Sequence, residues 1–277
     1  MASDYSVIEI PVSGDTVRVV QLTDTHLKPT AGGKLLGLDT DYSLQAVVDL
    51  VRREYPEPDV VLGTGDLADS GAGDAYRRLI TYFDQVSPAH YWLPGNHDLR
   101  DVMVKIGGAR RVPGELRVGR WQILMLDSQL PGEVGGHLGP DELQRVDLRL
   151  EAARSAGLFT LICMHHQPVR VGCHWLDQQM VSDADSFLEI VRRFDGVRGV
   201  LWGHVHQELD ERRDDLRFLC SPSTCIQFLP QQQDFALDMR PPGYRWLELG
   251  PDGELETGVS RAEAQVFPVD RQASGYA

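Results

Sequence analysis

With 277 residues, 42% of them hydrophobic and 25% charged, the chain has the composition of an ordinary soluble globular protein long enough to bury a substantial core. No apolar run approaches the length of a membrane span, and the opening Met1-Ala2-Ser3-Asp4-Tyr5 lacks the basic start and apolar stretch of a secretory signal, so a cytoplasmic location with no membrane partner is expected. The net charge of −14 argues against a nucleic-acid partner but leaves a small anionic substrate open, because divalent ions bound in a cleft reverse the local field.

Apolar runs and helical stripes then alternate along the chain. Residues 17–22 read as a buried strand that runs into Asp24-Thr25-His26. Leu44, Val47, Val48 and Val51 follow at i, i+3, i+4, i+7 spacing, predicting a helix capped by Thr40 or Asp41 and closed near Pro56. The run 60–62 leads to Gly65-Asp66, and Tyr76, Leu79, Ile80 and Phe83 mark a second helix. Residues 91–93 precede Gly95-Asn96-His97-Asp98. Residues 120–126 make a strand, and Leu143, Val146 and Leu150 a helix after Pro140-Asp141. The run 158–164 ends at His165-His166, Phe187, Ile190, Val191 and Phe194 form a fourth helical stripe, and 200–202 precede Gly203-His204-Val205-His206.

After that point the pattern becomes β-rich. Strands are predicted at 217–219, 244–249 and 254–259, with Gly250-Pro251-Asp252-Gly253 as a hairpin loop. Residues 229–243 read as a long loop, of a length that is often functional or mobile, and the last ten residues as a surface tail. No linker or repeat appears, so 1–277 reads as one domain, with ligand motifs in 24–206 and a β-rich completion and tail in 217–277. Cys163, Cys173, Cys220 and Cys225 form no C-x-x-C pair and are expected to be reduced and structural.

The chemistry lies in the five strings that follow the apolar strands. Asp24 and His26 are two apart on an extended segment and reach one side, as do His204 and His206. Asp66 offers two oxygens, so it can bridge two ions where a neutral imidazole cannot. The Asn96 amide oxygen is a hard neutral ligand, and His97 beside it is available for proton transfer. His165 ends its strand as an imidazole ligand, with His166 directed the other way. Buried Asp and His in such numbers are costly without a cation, and the mixed O/N set suits Fe, Mn, Zn or Co better than Mg or Ca. His90, His137 and His174 belong to no string and read as surface or packing residues, although His174-Trp175 lies near enough in sequence to His165 to wall a pocket. Asp98 either orients His97 or caps a turn.

In order and spacing these strings resemble those of the calcineurin-like metallophosphoesterases: Asp-x-His, Gly-Asp, Gly-Asn-His-Asp/Glu, His and Gly-His-x-His. A narrower similarity, to the bacterial class III 3′,5′-cyclic-AMP phosphodiesterases, runs through Leu22–Leu27, Leu35-Leu36-Gly37, Pro168 with Gly172–Gln178, Gly203–Asp210, 222–228 and Ser274-Gly275-Tyr276. Gln167 departs from it, since relatives commonly carry proline there. The resemblance implies an α/β fold, a four-layer α/β/β/α sandwich whose second sheet is completed by the β-rich C-terminal part. It implies two divalent ions, Fe(II) with Mn(II) able to substitute. Asp24, His26 and His206 would hold one, Asn96, His165 and His204 the other, and Asp66 would bridge.

The same resemblance gives Asp66, Asn96 and His97 catalytic roles, with His97 as general acid, and puts His26, Asp66, Asn96 and His97 at the substrate. The expected reaction is hydrolysis of cyclic AMP to 5′-AMP by a metal-bound hydroxide attacking in line with the 3′-oxygen. Base selection would fall to aromatic walls such as Trp175 and Phe228. Other phosphodiesters (2′,3′-cyclic nucleotides, glycerophosphodiesters) and a non-catalytic nucleotide or metal sensor are the alternatives.

Overall fold

Along Val17–Leu22, alternate side chains Val17, Val19 and Gln21 face one way, and Val60 and Leu62 of Val60–Thr64 do the same beside them. This face closes on a second sheet through Leu116, Trp121, Ile123, Leu161, Leu201 and Leu219, all buried. Full burial of each aliphatic side chain contributes about 1.5–3 kcal/mol, which makes this inter-sheet layer the centre of the fold. The computed structural model describes residues 6–12, 14–270, 272, 273 and 275. Met1–Tyr5 and two residues of the tail motif, Ser274 and Tyr276, lie outside the described residues.

One sheet has five strands, in the order Leu255–Arg261, Gly243–Leu249, Val17–Leu22, Val60–Thr64 and His90–Leu93, the last three parallel. The other has seven: Val7–Ile10, Glu115–Val118, Trp121–Met125, Phe159–Cys163, Val197–Trp202, Leu216–Cys220 and Leu209–Arg213. Helices Thr40–Glu54, Gly73–Phe83 and Arg100–Gly107 cover the outer face of the first sheet. Gly139–Ser155 and Ala184–Val191 cover the second. The result is the expected four-layer sandwich. The first helical stripe is its clearest sequence signal, since Leu44, Val47, Val48 and Val51 are all fully buried.

Several expectations need correction. The first helix is capped by Asp39, whose carboxylate accepts from the Tyr42 amide at 3.0 Å, and not by Thr40 or Asp41. Asp41 instead accepts from Arg78 at 2.8 Å. The β-rich end does not complete one sheet alone. The hairpin Leu209–Arg213/Leu216–Cys220 joins the seven-stranded sheet, whereas Gly243–Leu249 and Leu255–Arg261 join the five-stranded one beside Val17–Leu22. Residues 229–243 are not wholly loop, because Leu237–Asp238 pairs with Gln227–Phe228. Leu209–Arg213 escaped the sequence reading because a charged edge strand carries no apolar alternation. All four cysteines are buried and unpaired with one another. No helix among the described residues is long and apolar enough to cross a membrane.

Candidate metal centre

Five parallel strands, Val17–Leu22, Val60–Thr64 and His90–Leu93 in one sheet and Phe159–Cys163 and Val197–Trp202 in the other, end at one edge of the sandwich. Each then turns sharply. Asp24, His26, Asp66, His204 and His206 all have positive φ, between 44° and 62°, an uncommon conformation for residues with a Cβ. Strain of this kind concentrates at functional sites, where surrounding contacts enforce it. Gly65, at φ 96°, and Gly203 allow the strands to approach: a Cβ on the first would collide with the His165 ring, and on the second with Thr23 and Asp24.

The turns bring the seven predicted ligands together. Asp24, His26 and His206 each place a donor atom within 4.8 Å of the others, and so do Asp24, Asp66 and His165. Asp66 Oδ2 lies 3.2 Å from His165 Nε2 and 3.7 Å from His26 Nε2, between the two halves of the site. Asn96 Oδ1 is 3.2 Å from His165 Nε2. His204 ring-stacks edge-on to His165, and its Nε2 is buried with no hydrogen-bond partner among the described residues.

The hydrogen bonds behind these groups show what the centre suits. His165 Nδ1 donates to the Thr64 carbonyl at 2.9 Å and His206 Nδ1 to the Ile226 carbonyl at 2.8 Å. In the neutral ring each Nε2 is then a lone pair, yet one faces the oxygens of Asp66 and Asn96 and the other faces Asp24 Oδ1 at 3.3 Å. Acceptors aimed at acceptors need a cation or a proton between them. The residues therefore fit a pair of divalent ions held by mixed oxygen and nitrogen ligands.

Electrostatics follow from this crowding. Burial disfavours both charges, but the two groups hold each other charged: His165, with His97, keeps the Asp66 carboxyl well below the usual range, and Asp66 raises His165 to about 9. Burial pushes His26 and His204 well below the ordinary histidine value, and burial with His165 nearby brings His166 down to about 3. These three imidazoles are neutral in the fold and gain a proton on unfolding below about pH 6.5. The contribution of these three to the metal-free protein is thus fully present above pH 6.5 and falls as pH drops, by up to about 1.4 kcal/mol per pH unit for each, whereas that of the raised His165 is complete below pH 6.5 and is lost as pH rises toward 9. Urea unfolding in chelator between pH 6.5 and 5, where the His165 contribution no longer changes, tests this; a midpoint that rises on acidification across that window contradicts it.

Other predicted residues land differently. Asp98 does not orient His97. It accepts from the amides of Leu67, Ala68 and Gly95 at 3.0–3.1 Å and from Tyr76 Oη at 2.8 Å, so it ties the turn. His97 Nδ1 donates instead to the Asp69 carbonyl at 3.0 Å, and its amide donates to Asp66 Oδ1 at 2.9 Å. His166 is buried beside His165 and His204, but its ring nitrogens are committed to Ser128 Oγ and the Val134 carbonyl. His174 is exposed and does not wall the site.

A cavity of about 350 Å³ opens from the centre, lined by Asp66, Asn96, His97 and His204 at one end and by Trp175, Phe228 and Phe235 at the other. The three aromatic rings meet edge to face at 5.0–5.6 Å, and Phe228 stacks on His206 at 4.3 Å. Sequence reasoning missed Phe235, Val134 and Gln179 as lining residues; the length of the 229–243 loop was the available signal for Phe235. It also missed Gln129, which holds the Asn-His turn through the carbonyls of Gly95 and Asp98 at 2.7 and 2.6 Å.

Comparison with known proteins agrees with this geometry. Residues 17–208 match the family described as calcineurin-like phosphoesterase. A Pseudomonas aeruginosa protein named 3′,5′-cyclic adenosine monophosphate phosphodiesterase CpdA is 42% identical, with 96% of this chain and 97% of that one covered. A Vibrio vulnificus protein of the same name is 38% identical over 96% and 97%. Among solved structures, a dimetal phosphatase from Danio rerio superimposes with TM-score 0.62 at 14% identity, over 89% of this chain and 99% of that one, a likeness of fold. Motifs, fold and near-full-length similarity together make this chain a member of the calcineurin-like phosphoesterase family, on the branch that includes the CpdA proteins.

Proposed function

We propose that the chain, as a single domain, hydrolyses 3′,5′-cyclic AMP to 5′-AMP with two divalent ions, Fe(II) or Mn(II), held by Asp24, His26, Asp66, Asn96, His165, His204 and His206. The observation that carries this reading is the cavity itself, which joins phosphoryl-type ligands to an aromatic box in one space. The CpdA names of relatives at 38–42% identity support the choice of nucleotide. A cytoplasmic site of action, expected from the N-terminal sequence, belongs to the same proposal.

Bound ions would supply Lewis-acid polarisation of the phosphoryl group and lower the pKa of coordinated water toward neutrality. The protein's own residues do the rest. Asp66 neutralises positive charge between the half-sites while its Oδ1 holds the His97 amide in place. Asn96 and His97 meet the non-bridging oxygens, and His26 flanks them, its ring edge-on to His97 at 4.9 Å. The bond from Nδ1 to the Asp69 carbonyl fixes the His97 ring, so the second proton is gained and released at Nε2, toward the departing 3′-oxygen. Trp175 and Phe235 flank the apolar end, where a purine stacks.

The direct test is purified protein, stripped with chelator and reloaded with Fe(II) or Mn(II), incubated with cyclic AMP and followed by chromatography for 5′-AMP. Metal-dependent 5′-AMP is the expected result. Turnover of 2′,3′-cyclic AMP or a glycerophosphodiester in its place would overturn the substrate. Trp175→Ala should raise the KM for cyclic AMP about tenfold, the loss of one stacking contact of about 1–3 kcal/mol, and leave an aryl phosphodiester unaffected. An unchanged KM would put the base elsewhere.

A further inference from the structure

The seven candidate ligands come from two different sheets. Asp24, His26, Asp66 and Asn96 follow strands of the five-stranded sheet, and His165, His204 and His206 follow strands of the seven-stranded one. A dinuclear centre therefore demands that the sheets hold a fixed register at this edge. Apolar contact cannot supply it alone, because it is non-directional, and functional constellations need positions kept to within about 0.5 Å.

At this edge the inter-sheet layer changes from apolar to polar. Val17, Val19, Val60, Leu62, Leu247 and Leu249 give way, on the same strand faces, to Gln21, Thr64 and Arg245. Gln21 is completely buried and uses every arm of its amide. Nε2 donates to Thr64 Oγ1 at 2.6 Å, within its own sheet, and to the Trp202 carbonyl at 3.2 Å, in the other. Oε1 accepts from Ser221 Oγ. Ser221 Oγ accepts in turn from Arg245 Nε at 3.1 Å, and Arg245 Nη2 donates to the carbonyls of Leu209 and Cys220 at 3.0 and 2.8 Å.

The two acceptors of Gln21 Nε2 are the last residues of ligand-bearing strands. Thr64 precedes Gly65-Asp66 and its carbonyl receives the His165 Nδ1 proton; Trp202 precedes Gly203-His204. Gln21 itself stands three residues before Asp24, whose carboxylate accepts the His204 amide at 3.0 Å.

We propose that Gln21 is a positioning residue for the metal centre: a buried clamp, braced by Ser221 and Arg245, that sets the separation of the two sheets' ligand groups. The proposal rests on the dinuclear reading given above. It makes occupancy of both sites depend on an amide that touches no ion and no substrate. Groups behind a metal ligand typically affect affinity by about 10–100-fold, and a comparable loss is expected here.

The test uses the full chain and Mn(II) as probe. Gln21→Leu removes the hydrogen bonds; Ser221→Ala removes one cross-sheet partner and leaves the Thr64 carbonyl behind His165 untouched. Mn(II) affinity is read by chelator competition, and ion pairing by the exchange-coupled electron paramagnetic resonance signal. Urea midpoints of the metal-free proteins report fold separately. The proposal expects folded variants whose weaker-bound Mn(II) is lost about 10–100-fold more readily, with the coupled signal replaced by that of isolated ions. The double variant should lose little beyond Gln21→Leu alone, since Ser221 braces the sheets through Gln21. Two tightly bound, coupled Mn(II) ions in both variants, with only a lowered urea midpoint, would overturn the clamp. Should Gln21→Leu fail to fold, Ser221→Ala decides by the same readings. Failure of the unsubstituted protein to take two coupled ions would overturn the dinuclear reading, and the clamp with it.

Discussion

Replacing His97 by alanine is expected to slow cyclic-AMP hydrolysis by about 10²–10⁴-fold, the usual contribution of a positioned general acid. Hydrolysis of bis(4-nitrophenyl) phosphate should change far less. A ribose 3′-alkoxide is a poor leaving group and needs a proton as the bond to phosphorus breaks, whereas nitrophenolate departs as a stable anion. His97 is placed for this task by two bonds that do not use Nε2, the Nδ1 link to the Asp69 carbonyl and the amide link to Asp66. Comparing kcat for the two substrates in wild type and His97→Ala separates proton delivery from phosphate binding. Equal losses on both would assign His97 to binding alone.

Asp66→Ala should behave in the opposite way, losing both substrates together. Asp66 Oδ2 stands between His26 and His165, and its other oxygen fixes the His97 amide. Without it neither half-site keeps its ligands, and several kcal/mol of transition-state stabilisation disappear, on the order of 10³-fold in rate. Metal analysis should find fewer than two ions per chain, and added Mn(II) should not restore activity. In chelator the variant should fold, since the paired charge on His165 is lost along with the one on Asp66. Full metal occupancy with unimpaired turnover would remove Asp66 from the bridging role.

Much of this could be read from the chain before folding was considered. The five ligand strings stand directly after apolar strands, and that local grammar survives because a strand end and its turn are short-range features. The helical face of Leu44, Val47, Val48 and Val51 was legible for the same reason. Readings that needed a distant partner fared worse. For Asp98 the chain left two roles open, orienting His97 or capping a turn, and only the fold showed it turning back to the amides of Leu67 and Ala68, about thirty positions away. His174 stays at the surface, in keeping with its lack of a ligand string, and does not wall the site; Phe235, on the long 229–243 segment, came in through the pairing of Leu237–Asp238 with Gln227–Phe228.

Residue types and spacing by themselves determined the ligand inventory, the alternation of strands and helices, and the family to which such strings belong, because coordination chemistry and amphipathic periodicity are both written locally. Only the tertiary structure decided which sheet each C-terminal strand joins, which carbonyls fix the imidazole tautomers, and that Gln21 and Arg245 lie between the sheets under the metal centre. Those outcomes depend on contacts between distant segments, among them Gln21 with Ser221, 200 residues on, and Val17 with Leu249. A buried amide or guanidinium reads as an ordinary polar residue until packing surrounds it, and its partners are chosen by the fold rather than by its neighbours in sequence.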